Sequence, residues 1–349
     1  MGFNASHAQR PGTSKTWSRR ELTLSLLAAS VWGAACTDGT DPDPPAIEVS
    51  NRRWMVTPTP GTALAVADVG PMAQSMARAV MVAAWTPWVY ETLDAVSKNP
   101  SKGPTGTTTC AISGAQRIDW TDSDRDGRLG PADTLSIHMQ GCQSAQDPRA
   151  VDGGWSMQIA RVLLDAQQHV AALDASGQLG ALSFGGVWVQ SAAYQLQVTD
   201  DWGSTQRSRM ALRSCTAGST PAGAGPASVF DLDVYSVHTL LQREHHLTGR
   251  LTTGATSWCV ASEVSAPMVM KSGFASPGSF SQQTADVMPS SGQLQLIDAA
   301  GARLVLQAKG PLADVLFYPA GSSQPVAQFL NLTWDLLLSG QVGAAITNG

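Results

Sequence analysis

The sequence predicts a mainly β protein, an antiparallel sheet closed or folded into a barrel or sandwich, with an N-terminal helical segment over about residues 71–98. Three observations predict it. From Thr107 onward, about a dozen segments show period-two alternation or short apolar runs, each ended by Gly, Pro, Asn, Asp or Ser. Hardly any stretch of that region carries a strong helical period, which argues for an antiparallel all-β body. Ahead of it, Met72, Met76, Val80, Ala83, Ala84, Val89, Leu93 and Val96 recur near a three-to-four spacing.

The helical segment is expected to kink or split at Pro87 and to pack its Met and Trp face on the body. A Met-rich helix can also plug or line an apolar ligand cavity. Strands are expected at 115–120, 134–140, 155–164, 182–190, 194–199, 207–213, 229–237 and 250–260. A last group follows at 293–298, 303–307, 314–318 and 328–334, and 163–176 also passes for a helix. The β body then runs over 107–349 with a candidate sub-boundary near 285, and nine Trp after residue 35 supply much of its core.

The N-terminus reads as an export signal. Arg10, Lys15, Arg19 and Arg20 precede a 14-residue apolar run, LTLSLLAASVWGAA, that ends in small residues before Cys36. That run falls short of the roughly 20 residues a membrane-spanning helix needs. Residues 18–22, SRREL, resemble a twin-arginine signal. Residues 33–36, GAAC, resemble the lipobox of bacterial lipoproteins, with Gly where that pattern prefers Leu. The resemblance implies a signal peptide over 1–35 and lipidation of Cys36, with Thr37 directing the chain to the outer membrane; ordinary cleavage with Cys36 a bystander is the alternative. Residues 36–70, rich in Pro and Asp at their start, read as a flexible tether. The membrane, reached through this anchor, is the first expected partner.

Five cysteines are present: Cys36, Cys110, Cys142, Cys215 and Cys259. With Cys36 set aside for lipid, four remain, an even number suited to an oxidising compartment. Of the three pairings, the sequential one is expected, Cys110 with Cys142 and Cys215 with Cys259, because each pair brackets a short run of strands. Beyond residue 35 the chain holds 18 basic and 26 acidic residues, a net charge of about −8, with no basic stripe to suggest a nucleic-acid partner.

One loop carries chemistry. Counting from Asp122, carboxylates fall at positions one (Asp122), three (Asp124), five (Asp126) and twelve (Asp133), with Gly127 at six and Leu129 at eight. Calcium takes six to eight oxygens, and alternating Asp residues on a tight loop converge theirs on one point. Arg128 would offer its backbone carbonyl, Gly127 would permit the turn, and Leu129 would anchor the loop to the core. The flanking RIDW and TLSIHM read as strands, so a structural calcium is expected in a β-hairpin whose open end Cys110 and Cys142 clamp. A solvated turn whose carboxylates make only local hydrogen bonds is the alternative.

This stretch, with its two strands, DSDRDGRLGPAD loop and closing Cys, resembles a group of uncharacterised proteobacterial lipoproteins, from whose pattern Ala132 departs by replacing Gly. SSGQLQLIDAAGARLVL and LNLTWDLL near the C-terminus are similar to the same group. The resemblance implies location and architecture and no activity.

No G-x-S-x-G, S-x-x-K, H-E-x-x-H or P-loop motif occurs. Glu244, His245 and His246 form the densest titratable cluster, with His238 nearby. Adjacent histidines on a strand face opposite ways, so this cluster is expected at a turn or an exposed strand end. Asp231 and Asp233 share a strand face and read as a solvated pair. The expected function is therefore a structural or partner-binding envelope module, acting on an envelope protein or lipid; the alternatives are a periplasmic carrier of an apolar ligand and, third, a hydrolase.

Overall fold

The computed structural model describes residues 63–85 and 106–342, apart from 111–112, 144–149, 167, 169, 202–204, 220–226, 240, 254–255, 264, 272–273, 277–278 and 281–287. A 3-10 turn, Val66–Asp68, leads into helix α1, Val69–Ala84. The strands follow: β1 Gly106–Thr109, β2 Ser113–Thr121, β3 Thr134–Gln143, β4 Val151–Leu164, β5 Val170–Phe184, β6 Val187–Asp201, β7 Thr205–Gly218 and β8 Ser228–His238. Next come β9 Gln242–Thr253, β10 Thr256–Ser262, β11 Met268–Lys271, β12 Phe274–Ser276 and β13 Ser279–Phe280. The chain ends in β14 Gly292–Ile297, β15 Arg303–Lys309, β16 Leu312–Tyr318, β17 Ala327–Thr333 and helix α2, Trp334–Ser339.

Strand neighbours in sequence are neighbours in space. The sheet runs β1 to β10 in chain order, then β14 to β17, every pairing antiparallel. Strand β9 is long enough to serve two partners on one edge, β10 at Thr248–Thr253 and β11 at Gln242–His245. Strands β14 to β17 continue this sheet across residue 285 rather than starting another, and β12 and β13 form a small ribbon of their own. Strands β1 and β17 are the edges, and no described pairing joins them, so the sheet is open and the barrel alternative is not realised. Among the described residues no helix is long and apolar enough to cross a membrane.

Helix α1 is the pillar of the core. Ala and Met favour helix, Pro71 falls in the first turn where it is tolerated, and the end comes at Trp85, two residues before Pro87. Fifteen of its sixteen residues are buried, the exception being Pro71. It packs against β6, β8, β9, β15 and α2, so middle and late strands of the one sheet both reach it. The helix is thus enclosed, not laid by one face on the body as its apolar spacing suggests.

Its polar stripe is bonded to interior partners. Gln74 Nε2 donates to the Leu338 carbonyl at 2.9 Å, and Ser75 Oγ meets Ser228 Oγ at 2.9 Å. Arg78 donates to Ser228 Oγ at 2.9 Å and to Ser219 Oγ at 2.8 Å, and Ser219 Oγ in turn reaches the Leu338 carbonyl at 2.8 Å. Burial lowers the Arg78 guanidinium pKa to about 10. These bonds supply partners to the free carbonyl end of α2, which Gly340 closes in the left-handed conformation.

Several expected segments need correction. The 182–190 strand spans the Gly185–Gly186 turn between β5 and β6, where both residues have positive φ. The 250–260 strand spans the end of β9 and the start of β10. Residues 163–176 are the end of β4 and start of β5, not a helix, and Trp334 opens α2 rather than ending β17. Helix α1 ends at Ala84; the rest of the expected helical segment, 86–98 with Pro87, and residues 1–62 with the expected signal peptide, Cys36 and most of the expected tether lie outside the described residues.

Met76 in the middle of α1 has no exposed surface. Met76→Ala is expected to destabilise the fold by about 2–5 kcal/mol, read as a lowered urea midpoint with an unchanged slope.

Candidate functional site

The Asp loop connects β2 to β3, whose ladder runs from Thr121 paired with Thr134 down to Ser113 paired with Gln143. At the far end of that ladder Cys110 and Cys142 are disulfide-bonded, with Cα atoms 5.4 Å apart. The hairpin is therefore closed at both ends, by the loop and by the disulfide. Leu129 is buried in the main core, as its position in the loop predicts.

Asp133 is the keystone of the loop. It has no exposed surface, and both oxygens are fully engaged. Oδ1 accepts from Ser123 N at 2.9 Å and Ser123 Oγ at 3.0 Å; Oδ2 accepts from Gly130 N at 2.9 Å and Trp120 Nε1 at 3.0 Å. A second tie runs to β4, where Ala132 N donates to the Ile159 carbonyl at 2.7 Å and Ile159 N to the Asp133 carbonyl at 2.9 Å. Ala132 itself sits at φ 69°, left-handed backbone that favours Gly. Asp133 thus holds the loop's shape and stands outside the carboxylate cluster.

The cluster is Asp122, Asp124 and Asp126, each offering one oxygen within 4.8 Å of the others. The loop backbone orients them. Asp122 accepts from Arg125 N at 2.6 Å and Gly127 N at 2.8 Å, Asp124 from Asp126 N at 3.2 Å, and Asp126 from Arg128 N at 2.7 Å. Positive φ at Arg125 and Gly127 makes the turn. Partial desolvation works against ionisation of Asp122, but the N–H groups of Gly127 and Arg125 hold its carboxyl below the usual range. The Asp126 N–H pulls the Asp124 carboxyl down, and desolvation with the adjoining Asp122 and Asp126 charges outweighs it, leaving a net upward shift. Three converging carboxylates that repel one another are what a cation would relieve.

The remaining candidate residues separate. Cys215 is a buried free thiol on β7, so the pairing of Cys215 with Cys259 is not formed. Burial pushes the Cys215 thiol above the range in which it ionises. The parity argument for Cys36 weakens with it, since Cys110, Cys142 and Cys259 cannot pair off among themselves. Asp233 is held between Arg209 at 3.2 Å and Arg213 at 3.3 Å, while Asp231 accepts from Ser214 N at 2.7 Å. Neither is poised as an acid–base pair.

The histidines are the surprise. A turn breaks the strand between His238 and Gln242, and it brings His238 and His245 to one face of β8 and β9, ring centres 5.8 Å apart. Both are essentially fully buried, not exposed at a strand end. His246 faces the other way beside Tyr235, as alternation requires. Burial lowers His238 from its ordinary 6.5 to about 3 and takes His245 well below 6.5, with Arg243 adding to both. The sequence signal missed was the pairing register, since Ser236 lies opposite His245 and His238 opposite Arg243.

A cavity of about 890 Å³ lies across β2 to β7, with mixed walls: Gln178, Gln195 and Arg209 line it together with Leu135, Met157 and Tyr194. Met72, Met76 and Met81 of α1 are packed in the core and do not line this cavity. No family model matches the chain, and no curated protein or solved structure is significantly similar to it.

Two outcomes follow. The disulfide closes a loop of 32 residues, so Cys110→Ala with Cys142→Ala is expected to cost about 3–4 kcal/mol in denaturant unfolding. The folded state keeps His238 and His245 neutral, whereas the unfolded chain protonates them below about pH 6.5. Stability is therefore full above pH 6.5 and falls as pH drops toward 3, by at most about 1.4 kcal/mol per histidine per pH unit. Urea midpoints at pH 7.5 and 5.0 check this, and the difference should shrink in His238→Gln.

Proposed function

We propose that this chain is an exported, lipid-anchored envelope protein, a structural or partner-binding β module whose β2–β3 hairpin is stapled by calcium. The observation that carries the reading is the convergence of the Asp122, Asp124 and Asp126 carboxylates on a loop whose shape is fixed independently, by Asp133 and by the disulfide. A rigid loop keeps like charges together at a cost in repulsion, and a hard divalent cation removes that cost. Further oxygens would come from the Arg128 carbonyl and from water. The role is read as structural, because the loop stands at the tip of the β2–β3 hairpin and ties its two strands together.

The anchor is read from the sequence, from the charged start, the apolar run and the GAAC motif before Cys36. It would place the body on the outer membrane, with an envelope protein or lipid as its partner.

Calcium titration of the full-length mature protein checks the site. Addition of calcium is expected to raise the unfolding temperature, by an amount equivalent to about 2.7 kcal/mol at a hundredfold excess over Kd. Asp124→Ala should abolish the shift without lowering the metal-free stability; an unshifted wild type would remove calcium from the reading. Intact-mass measurement of membrane-extracted protein checks the anchor. A diacylglyceryl adduct on Cys36 supports it, and a Cys36 sulfur engaged in a disulfide excludes it, because one sulfur cannot carry both.

A further inference from the structure

The buried histidine layer has the composition of a ligand set. Two cross-strand rows meet beneath the β8–β9 ladder. In one, Ser236 faces His245, and His245 faces Met268 of β11; in the next, His238 faces Arg243, and Arg243 faces Met270. His238, His245, Met268 and Met270 are each at most 2 % exposed. Directly opposed residues on an antiparallel pair carry their side chains on the same face with Cβ atoms about 5 Å apart. Two imidazoles and two thioethers therefore share one dry layer.

A nitrogen of His245 in this layer asks for a partner. His245 Nδ1 is bonded to Ser236 Oγ at 2.7 Å, while His245 Nε2 is buried with no hydrogen-bond partner. A buried polar atom left unsatisfied is uncommon and costs about 1–3 kcal/mol. The Ser236 bond lets Nδ1 carry the proton, which leaves Nε2 with its lone pair. That is the way a metal-binding imidazole is oriented by the group on its other nitrogen.

We propose that His238 and His245, with the thioether of Met268, form a binding site for a soft monovalent cation, Cu(I) in chemical class. Geometry agrees. An imidazole nitrogen binds a metal at about 2 Å, which puts each ring centre roughly 3 Å from the ion. Ring centres 5.8 Å apart, with ring planes at 77°, lie within the span that two imidazoles on one ion allow. Charge selects the valence. Among the described residues no carboxylate, thiol or third histidine joins the two imidazoles, and Arg243 already contributes a positive charge to the layer. A divalent ion would lie there uncompensated, whereas a monovalent one with neutral nitrogen and thioether ligands carries the least charge into the core. The imidazoles are neutral there, as ligation requires. The site is distinct from the Asp loop in place and in ligand hardness.

The test is Cu(I) titration of the full-length mature protein under ascorbate, in competition with bicinchoninate. One Cu(I) per chain is expected, with affinity falling at least tenfold in His245→Gln and in Met268→Leu. The Leu variant keeps the apolar volume, so its fold is preserved. X-ray absorption should show nitrogen and sulfur neighbours in the wild type and no sulfur in Met268→Leu. Cys215→Ser separates the one free thiol among the described residues from this set and should leave affinity unchanged. No uptake by the wild type, wild-type affinity in either ligand variant, or loss of binding in Cys215→Ser would overturn the proposal.

Discussion

Everything else in this molecule answers to the burial of α1. A sixteen-residue helix that is apolar on nearly every side has no solvent face to offer, so its surroundings must close round it. One flat sheet covers only one side of a helix. Here the same sheet reaches it from β6, β8 and β9 and again from β15, with α2 filling against it. The long hairpins are the means, because strands of 14 and 15 residues have room to twist and coil about an inner element. The price of that arrangement is a buried Arg78, and Ser75, Ser219 and Ser228 are the small hydroxyl groups that make it tolerable.

A meander in chain order makes most contacts between neighbouring strands, so each hairpin can be understood as a local unit added to the last. The β2–β3 unit shows how such a hairpin gains rigidity beyond its ladder. Asp133 gathers four donors from Trp120, Ser123 and Gly130, and the disulfide fixes the opposite end. With the frame settled by these, Asp122, Asp124 and Asp126 are free of structural duty toward the core. They bond to N–H groups of their own loop, and Asp122 and Asp124 to each other. A carboxylate the sequence groups with the other three is thereby separated from them by function.

Much of this was legible. The alternating segments mark β2, β3, β4, β7, β8 and the C-terminal strands, because a half-buried strand must alternate whatever its partners. The D-x-D-x-D-G spacing marks the acidic cluster, because local backbone geometry alone brings those oxygens together. What stayed hidden depends on partners distant in sequence. Gly185–Gly186 breaks an unbroken-looking apolar run because both residues turn with positive φ. The α1 spacing shows one apolar face, but Gln74, Ser75 and Arg78 become interior only because residues over 140 positions away, among them Ser219 and Ser228, meet them. Cysteine count is silent on distance, so even parity suggested a bridge that the buried Cys215 thiol does not make.

The histidines carry the same lesson furthest. Period two places His245 and His246 on opposite faces, which is right, yet it does not say which face is the core. The register decides: pairing Ser236 with His245 turns His245 inward with His238, and turns His246 out toward Tyr235. Strand β11 then completes the layer by placing Met268 and Met270 beside β9, on the stretch that β10 leaves uncovered. A core made for packing alone would fill that layer with Leu and Val, as it does one row further on, where Val234 faces Leu247. Polar side chains in a dry interior cost stability unless something in the interior needs them. That contrast between adjacent rows of one ladder is the reason to read His238, His245 and Met268 as more than core.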